Sequence, residues 1–472
     1  MSRAEKESMS YTDISEIVLH GDKYAGTKVK VAGWVRTARD SKTMAFIALN
    51  DGTSLKHLQL VMDKSVLDAD ALSPCLKSGA SVEAEGVVVP AAREGSGYEL
   101  NVEEIALIGD CPSDYPLQKK RHTLEFLRTI PHLRVRTNIF NAMLRVRIKV
   151  SYALHRFFQE RGYTYVHTPI ITGSDCEGAG EIFRVTTNGY EDARVAKDEA
   201  EYIARDFFRR KAGLTVSGQL EGEVAAMAMG KIYTFGPTFR AENSNTPRHA
   251  AEFWQIEPEV AFAKLPDIIK VAESMIKSVI NAVLEECPDE VDFFEKVCEP
   301  GLRAKLEGVV ASDFAVLDYT DAIELLKKAG EKFAYPVEWG LDLQTEHERY
   351  LTEKVLGKPV FVTNYPKKIK SFYMKQNPDG RTVAATDLLV PGVGEIIGCS
   401  EREADYDKLL QAMTERGMNL DDYKGYMELR KYGSVPHSGF GLGLERILMY
   451  VTGIGNIRDV QLYSRTAGDL MA

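Results

Sequence analysis

The sequence predicts an α+β protein in which a small β domain precedes a larger domain of mixed helices and strands. Five short apolar runs separated by turn residues fill roughly the first 110 positions, which is typical of a β domain. A proline-containing linker follows, and a long amphipathic helix then opens a region of mixed pattern. We expect the β domain at 1–112, the linker at 113–135 and the second domain at 136–472.

The β domain has the element order of a small barrel. Asp51 and Gly52, and the residues 95–97, mark turns, while a helical stretch at 64–77 lies between the third and fourth strands. Five strands with a helix in this place are the pattern of an OB-fold, which often binds oligonucleotides, although any small β-barrel would also fit. The apolar runs place the five strands at 29–35, 45–49, 58–62, 81–89 and 98–108.

The second domain opens with a predicted helix that starts at Asn138 and ends near Gly162. A strand at 163–171 follows, interrupted by Pro169, and another helix at 265–287 ends before Pro288. Between them, the segment 188–211 is dense in charge, and we expect a solvated insertion there.

Composition excludes several classes of protein. No apolar run is long enough to span a bilayer and no signal-peptide core is present, so we expect a cytoplasmic protein without a membrane contact. The six cysteines form no CxxC pair, which argues against a zinc site or a disulfide framework. The net charge of −10 argues mildly against nucleic-acid binding, but local basic runs such as 119–121 are as compatible with RNA as with solvent.

Two short motifs carry most of the functional information. One of them is a glycine-rich run at 439–446. Alone, this run could be a dinucleotide fingerprint, but too little chain remains after it for the required βαβ unit. Taken together and in this order, the motifs resemble the second and third signature motifs of the class II aminoacyl-tRNA synthetases. The first motif is Phe239-Arg240-Ala241-Glu242 with Arg248, His249, Glu252 and Phe253, and the second is the run 439–446, Gly-Phe-Gly-Leu-Gly-Leu-Glu-Arg.

The resemblance implies a catalytic domain built on an antiparallel sheet flanked by helices. It also implies a homodimer, because in this family a long helix and a proline-containing strand, here the helix from Asn138 and the Pro169 strand, build the dimer interface. Activation of an amino acid with ATP brings two anions together, and arginines and Mg²⁺ are the natural groups to neutralise them.

Site residues follow from the family pattern. Arg240 and Arg446 are the expected catalytic arginines, and Asp387 and Glu395, on a hairpin turned by Pro391 and Gly392, are the expected Mg²⁺ ligands. The expected ATP-binding residues are Arg240, Glu242, Arg248, His249, Phe253, Glu395, Gly443 and Arg446.

The choice of amino acid depends on two further segments. The run 394–400 with Arg402 resembles the aspartyl, asparaginyl and lysyl subgroup, in which an N-terminal OB-fold binds the anticodon. Aspartyl enzymes carry a lysine where this chain has Gly222, and here Glu223 offers a carboxylate that can accept a hydrogen bond from an amide and would repel a second carboxylate. We therefore expect L-asparagine and tRNA(Asn) as substrates, with Gln219, Glu223 and Arg402 as amino-acid-binding residues.

Two alternatives remain at this point. One is an aspartyl enzyme of relaxed specificity, and the other is a catalytically silent relative that binds tRNA or a protein partner. The carboxyl end also departs from the family, because Gln461-Leu462-Tyr463-Ser464-Arg465 stands where relatives carry a Pro-Phe-Pro-Arg stretch. That difference, which continues to Ala472, puts local packing near the active site in question.

The anticodon residues are expected on the β domain. Phe46 could stack on a base, and Arg36 and Gln59 could contact base edges or phosphates. For Phe46, a place in the barrel core is an equally good interpretation of the apolar run, and only the resemblance favours the anticodon role.

Overall fold

The computed structural model describes residues 10–92, 97–176, 181–244 and 246–470. The turn expected at Gly95 and Ser96 and the last two residues, Met471 and Ala472, lie outside these ranges. The chain divides into two compact units, Met1–Ala142 and Met143–Ala472. None of the helices within the described ranges is long and apolar enough to cross a membrane.

The first unit is a closed five-stranded barrel with the strand order β1-β2-β3-β5-β4. Alternation along each strand points every second side chain inward, and Val31, Ile47 and Leu60 are completely buried there. All five predicted strands are confirmed, as is the helix between the third and fourth, Ala69–Cys75. The strands are β1 Lys28–Asp40, β2 Met44–Asn50, β3 Leu58–Asp63, β4 Ser81–Pro90 and β5 Tyr98–Gly109.

A helix at Ile14–Tyr24 precedes the barrel and was not predicted. Its sequence contains Gly21, a poor helix former, and its φ/ψ angles are non-helical at His20. Packing and hydrogen bonds to the barrel hold it instead. Ile14 and Ile17 are fully buried in the barrel core, and the backbone N–H of Ile14 donates to Asp51 Oδ2 at 2.8 Å.

The second unit is built on an eight-stranded sheet with the order β11-β12-β13-β14-β15-β10-β9-β6. The outermost pairs, β11 with β12 and β6 with β9, are parallel, and the pairs between them are antiparallel. The strands are β6 Thr164–Tyr165, β9 Lys231–Phe239, β10 Glu252–Ala261, β11 Ala315–Asp318, β12 Val360–Thr363, β13 Ala385–Val390, β14 Gly394–Glu401 and β15 His437–Gly443, and a separate pair is formed by β7 Ile171–Thr172 and β8 Gly213–Leu214.

Helices flank the sheet, so the predicted α+β class with a barrel and a helix-flanked sheet is confirmed. The longest helix is Asn138–Glu160, and its predicted apolar positions Val146, Val150 and Leu154 are completely buried. The other helices of six or more residues in the described part of this unit are Tyr190–Val195, Glu199–Ala204, Gln219–Met229, Leu265–Glu286, Pro288–Val297, Leu302–Ala311, Tyr319–Lys327, Tyr406–Glu415 and Leu444–Thr452, with a π-helical turn at Tyr350–Val355.

Two local expectations need correction. The strand expected at 163–171 pairs only at Thr164–Tyr165, and Ile171 begins a different pairing, with β8. Pro169 lies between them, where a residue without an N–H cannot continue a ladder. Pro288 ends one helix but also starts the next, a position that its fixed φ favours. The charged segment 188–211 contains two short helices without a buried residue, which confirms that it is solvated.

We expect Gly86→Ala to destabilise the barrel unit. A Cβ at Gly86 would overlap the carbonyl oxygen of Asn101 and lie 2.9 Å from the Cα of Val102, so two paired backbones must separate. The expected loss is about 2 kcal/mol or more in the free energy of unfolding, measured by chemical denaturation. Gly308→Ala is the control, because its Cβ would enter open space in a helix and should be neutral or stabilising. Equal effects of both changes would contradict this account.

Candidate active site

A cavity of about 320 Å³ opens on one face of the eight-stranded sheet. Strand β10 contributes Phe253, Gln255, Glu257 and Glu259, which share one face because successive side chains alternate. The cavity brings together eleven of the residues that the sequence predicted for the ATP, metal and amino-acid sites: Gln219, Arg240, Glu242, Arg248, His249, Phe253, Asp387, Glu395, Arg402, Gly443 and Arg446. Glu223 is the predicted member of this set that does not line the wall.

The glycines of β15 make room for this arrangement. β15 lies beside β10, with Gly439 opposite Glu259 and Gly443 opposite Gln255. A Cβ at Gly439 would overlap the carboxylate of Glu259, and a Cβ at Gly441 would lie 3.4 Å from Gln255 Nε2. Because these glycines have no side chain, they leave space in the cavity that the side chains of β10 occupy.

Arginines form one end of the cavity. Arg446 Nη1 donates to the backbone oxygen of Glu395 at 3.0 Å and to its Oε2 at 3.3 Å. Arg248 Nη1 donates to the backbone oxygen of Val393 at 2.5 Å and lies 3.3 Å from Glu348 Oε2. The Arg240 guanidinium lies 5.4 Å from the centre of the Phe253 ring. This end offers several fixed guanidinium groups, the geometry that phosphate oxygens require.

His249 lies at the same end. Burial, followed by the nearby charge of Arg446, lowers the pKa of its imidazole below the usual value. The ring is therefore neutral at pH 7 and can contribute a hydrogen bond there instead of a charge.

The two predicted metal-binding carboxylates converge on Gly398. They lie on the antiparallel strands β13 and β14, as the predicted hairpin requires, and a Cβ at Gly398 would lie 3.4 Å from Glu395 Oε1 and 3.8 Å from Asp387 Oδ1. Lys370 Nζ donates to Asp387 Oδ2 at 2.5 Å. Burial raises the pKa of Asp387 to about 6, with Lys370 opposing the shift.

The surroundings of this pair of carboxylates fit a divalent cation. Asp342 and Glu348 add two further carboxylates, and burial followed by the charge of Glu395 raises the pKa of Glu348 to about 7. Lys370 pairs with Asp387, Arg248 with Glu348 and Arg446 with Glu395. Burial and the charge of Glu395 raise the pKa of both Asp387 and Glu348, so a cation beside these carboxylates would be stabilised, and their oxygens are the donors that Mg²⁺ prefers. Among the described residues no three metal-binding side chains group closely enough to hold an ion, so further oxygen ligands would have to come from a bound phosphate or water.

At the other end of the cavity, Arg402 is almost completely buried and already paired. Its Nε donates to Glu259 Oε2 at 3.2 Å, its Nη2 donates to Glu259 Oε1, and its Nη1 donates to Ser400 Oγ at 2.6 Å. The charge of Arg402 is therefore balanced within the protein.

Glu223 lies behind the cavity wall and is completely buried. Burial alone would raise the pKa of its carboxyl group, but Arg430 and His437 outweigh burial and lower it, so the group stays ionised. Arg402, which lines the cavity, approaches it from the other side of the wall, with its Nε 3.9 Å from Glu223 Oε1. Four groups reach its two oxygens: Gln219 Nε2 at 2.9 Å, Tyr426 Oη at 3.0 Å, Arg430 Nη2 at 2.8 Å and His437 Nε2 at 2.9 Å.

Sequence reasoning missed Tyr426, Arg430 and His437. They lie in and near the helix Lys424–Glu428 and at the start of β15, about 200 residues after Glu223 in the chain. No local pattern in the sequence points to these partners, because they lie far from Glu223 along the chain.

Glu257 holds the loop that presents Gln219. Its Oε2 accepts from the backbone N–H of Gly218 at 2.9 Å, and its Oε1 accepts from the hydroxyl of Ser217. Ser217 Oγ in turn accepts from the backbone N–H of Gln219 at 3.1 Å. The amino-acid end of the cavity is thus fixed from β10.

The atypical carboxyl end packs against the start of β10. The Arg465 carbonyl accepts from the backbone N–H of Ala251 at 2.7 Å, and Gln461 Nε2 donates to the carbonyl of Glu252 at 2.9 Å. Thr466 and Ala467 line the cavity. The segment therefore still contributes to the site, although it lacks the prolines that relatives carry there.

The three predicted anticodon residues lie on adjacent strands of the barrel. Phe46 is half-buried on the outer side of β2, whereas Ala45 and Ile47 fill the core, so the core interpretation of Phe46 is wrong. Gln59 is exposed opposite Ala48, with its Nε2 3.1 Å from Glu99 Oε2. Arg36 lies at a β-bulge and donates to Asn138 Oδ1 at 2.8 Å.

Comparison with known families matches the chain over most of its length. Residues 123–467 match the model of the tRNA synthetases class II (D, K and N), and residues 29–108 match the OB-fold nucleic acid binding domain. An asparagine--tRNA ligase of Clostridium novyi is 54% identical over 457 residues, which cover 96% of this chain and 98% of that protein. One from Bacillus cytotoxicus is 53% identical over 98% of this chain and 99% of its own.

Solved structures agree with these matches. The asparaginyl-tRNA synthetase of Pyrococcus horikoshii complexed with asparaginyl-adenylate superposes with a TM-score of 0.86 at 34% identity, covering 98% of this chain and all of that one. An aspartyl-tRNA synthetase of Entamoeba histolytica has a TM-score of 0.76 at 22% identity, covering all of this chain and 95% of that one, which shows a common fold alone.

We expect Arg430→Met to destabilise the second unit strongly, because it leaves the Glu223 carboxylate buried with too little positive charge. The expected loss is about 3–5 kcal/mol in the free energy of unfolding, measured by chemical denaturation. The double variant Glu223→Gln with Arg430→Met should recover much of it, because no charge then remains unpaired. Arg303→Met, which breaks an exposed pair with Asp292, is the control and should cost less than about 1 kcal/mol. A single and a double variant of equal stability would contradict the pairing argument.

Proposed function

Because the chain belongs to the class II tRNA synthetases of the D, K and N group, we propose that it is an asparagine--tRNA ligase. It activates L-asparagine with ATP to asparaginyl-adenylate and transfers the asparaginyl group to the 3′ end of tRNA(Asn). The observation that carries the choice of amino acid is the buried Arg402, whose charge Glu259 already balances. The cytoplasm, where proteins are synthesised, is the location that this activity implies.

The first step joins two anions, the carboxylate of asparagine and the α-phosphate of ATP. The carboxylate oxygen attacks the α-phosphorus, the bond to the β-phosphate oxygen breaks, and pyrophosphate leaves. Arg240 and Arg446 are the catalytic residues of this proposal, because fixed guanidinium groups stabilise the charge that gathers on the phosphate in the transition state. In the second step a ribose hydroxyl of the tRNA attacks the acyl carbon, and AMP leaves.

The other cavity residues bind ATP in this proposal. Phe253 stacks on the adenine, and Gly443 lets the backbone approach the nucleotide closely. Arg248 and His249 contact the β- and γ-phosphates, and Glu242 orients the adenosine or the acceptor end of the tRNA. Asp387 and Glu395 would hold Mg²⁺, whose positive charge would stabilise the negative charge of the leaving pyrophosphate.

Specificity for asparagine follows from the charge balance at the other end. An aspartate side chain would need a cation that is not already neutralised. However, Glu259 neutralises Arg402, and Glu223 neutralises Arg430. A neutral amide needs only hydrogen bonds, which Arg402 and Gln219 on the wall can supply. Glu223 acts from behind the wall by holding Gln219 in place through a hydrogen bond.

The barrel holds the anticodon of tRNA(Asn) in this proposal. Phe46 presents a ring on its outer face for stacking, and Gln59 and Arg36 present donors on the neighbouring strands. Single-stranded RNA is normally recognised by such a combination of stacking and hydrogen bonds to base edges.

The protein forms a homodimer through the long helix and the Pro169 segment in this proposal. Ile148 and Tyr152 are one turn apart on that helix and are 67% and 60% exposed. Ile170 and Ile171, directly after Pro169, are 43% and 45% exposed. Large apolar side chains grouped at these two places suit contact with a second copy of the chain.

The direct test of activity is ATP–pyrophosphate exchange by the purified protein, with asparagine and aspartate compared at equal concentration. We expect exchange with asparagine to exceed that with aspartate by roughly 100-fold or more, because the cavity offers hydrogen bonds but no unbalanced cation. Arg446→Ala should lower the rate with asparagine by about 100-fold or more. Comparable exchange with aspartate would support the relaxed aspartyl enzyme, and no exchange with either would support the silent relative.

The proposed dimer predicts that Tyr152→Asp produces monomers, because two carboxylates would be buried at a two-fold interface. Sedimentation velocity measures the change in mass directly. The control is Val316→Asp, at a side chain of similar exposure (62%) on the edge strand β11. A protein that is monomeric before any substitution, or a Tyr152→Asp variant with unchanged mass, would contradict this interface.

A further inference from the structure

Five consecutive residues of the insertion between β7 and β8 are all exposed: Phe207, Phe208, Arg209, Arg210 and Lys211. Phe207 is 73% exposed and Phe208 is 45% exposed. Their rings pack edge to face with centroids 4.8 Å apart. Three basic residues follow these rings directly in a chain whose net charge is −10, so the segment is locally basic and aromatic on an acidic protein.

The segment is held at both ends. Asp206 Oδ1 accepts from the backbone N–H of Thr187 at 2.9 Å and from that of Phe207 at 2.7 Å. These hydrogen bonds lower the pKa of Asp206 to about 2, so its carboxylate is ionised at neutral pH. At the other end, the Ala212 carbonyl accepts from the backbone N–H of Val185 at 2.9 Å. The exposed rings and cations are therefore displayed on an anchored loop.

Arg209 has a left-handed backbone conformation, with a φ of 53°. Glycine adopts this conformation without cost, whereas a side chain makes it unfavourable. Neither burial nor packing explains an arginine here, because the residue is exposed. A strained residue of this kind at an exposed place points to a function of its side chain.

The loop leads directly into the proposed active site. After Lys211 the chain forms β8, and six residues after Lys211 it reaches Ser217, which lines the cavity. At the start of the same insertion, the Glu181 carbonyl accepts from the backbone N–H of Ala241, the neighbour of Arg240. Six residues span at most about 20 Å, so a nucleotide on the loop lies within a few nucleotides of the cavity.

We propose that the loop Phe207–Lys211 binds the single-stranded 3′ end of the tRNA as that end enters the cavity. The inference rests on the proposed function and names the surface that receives its RNA substrate. Exposed aromatic rings stack on unpaired bases of any sequence, and neighbouring cations bind the phosphates between them. Duplex RNA would not use the rings, because its bases are stacked on each other.

The existing ion pairs of the loop do not prevent this role. Arg210 Nη2 lies 3.5 Å from Asp422 Oδ1, and Lys211 Nζ lies 3.0 Å from Glu199 Oε1. Both cationic side chains are 65% exposed, and such pairs contribute little to stability. Phosphate can therefore replace the carboxylates.

Two single variants of the full-length protein test the proposal, Phe207→Ala and Arg209→Gly. For each variant we expect the KM for tRNA in aminoacylation to rise by about 5-fold or more, while ATP–pyrophosphate exchange, which needs no tRNA, stays within about twofold of the unmodified protein. Arg209→Gly should also keep or raise the Tm, because glycine relieves the left-handed strain. A loss of tRNA affinity with undiminished stability is a result that a purely structural role would not give.

Matched controls and a truncated RNA complete the test. Tyr432→Ala removes another exposed ring of the same unit, and Arg194→Ala removes another exposed arginine of the insertion, and both should leave the KM for tRNA unchanged. With tRNA that lacks its single-stranded 3′ nucleotides, binding measured by fluorescence anisotropy should no longer distinguish Phe207→Ala from the unmodified protein.

The outcomes separate the inference from the proposed function. An unchanged KM for tRNA in both loop variants, with normal exchange, overturns the inference and leaves the function standing. A difference that persists with the truncated tRNA also overturns it, because the contact would then lie elsewhere on the RNA. Absence of exchange in the unmodified protein overturns the function itself.

Discussion

The second unit depends on the pairing of two buried glutamates with two buried arginines. Glu223 and Glu259 come from the helix Gln219–Met229 and from β10, while Arg402 and Arg430 come from chain about 150–200 residues later. An ionised carboxylate without a partner in such a place would cost several kcal/mol. Each half of the unit therefore supplies the opposite charges that the buried groups of the other half require.

The glycine run of β15 is the complement of this charge network. Gly439 leaves the space that the Glu259 carboxylate occupies, and Gly441 leaves space beside Gln255. A larger residue at Gly439 would displace Glu259, and Arg402 would lose its main acceptor. The same strand carries His437, which reaches Glu223, so β15 contributes space at one position and a hydrogen bond at another. The motif that the sequence shows as small residues is, in the structure, room for the side chains of the neighbouring strand.

Much of this could be predicted, because strands and hairpins have local signals. The period-two pattern gave the five barrel strands, and the Pro391-Gly392 turn correctly predicted that Asp387 and Glu395 converge. Elements held by tertiary contacts escaped prediction. The helix Ile14–Tyr24 depends on burial of Ile14 and on Asp51, and the partners of Glu223 depend on chain about 200 residues away. Phe46 shows the limit of pattern reading. The apolar run did not decide whether its side chain faces the core or the outside of the barrel, and the structure, in which Ala45 and Ile47 face the core, does.

The two ends of the cavity differ in how their charges are arranged. At the phosphate end, several carboxylates lie beside the arginines and a lysine, and a divalent cation there would stabilise both these carboxylates and a polyanionic nucleotide. At the amino-acid end, each arginine is matched by a glutamate, so the protein presents hydrogen-bond donors without a net charge. A carboxylate ligand gains nothing from a cation that is already neutralised, whereas an amide loses little when it leaves water for such a site. Discrimination between asparagine and aspartate can therefore arise at binding, from charges that do not themselves have to touch the ligand.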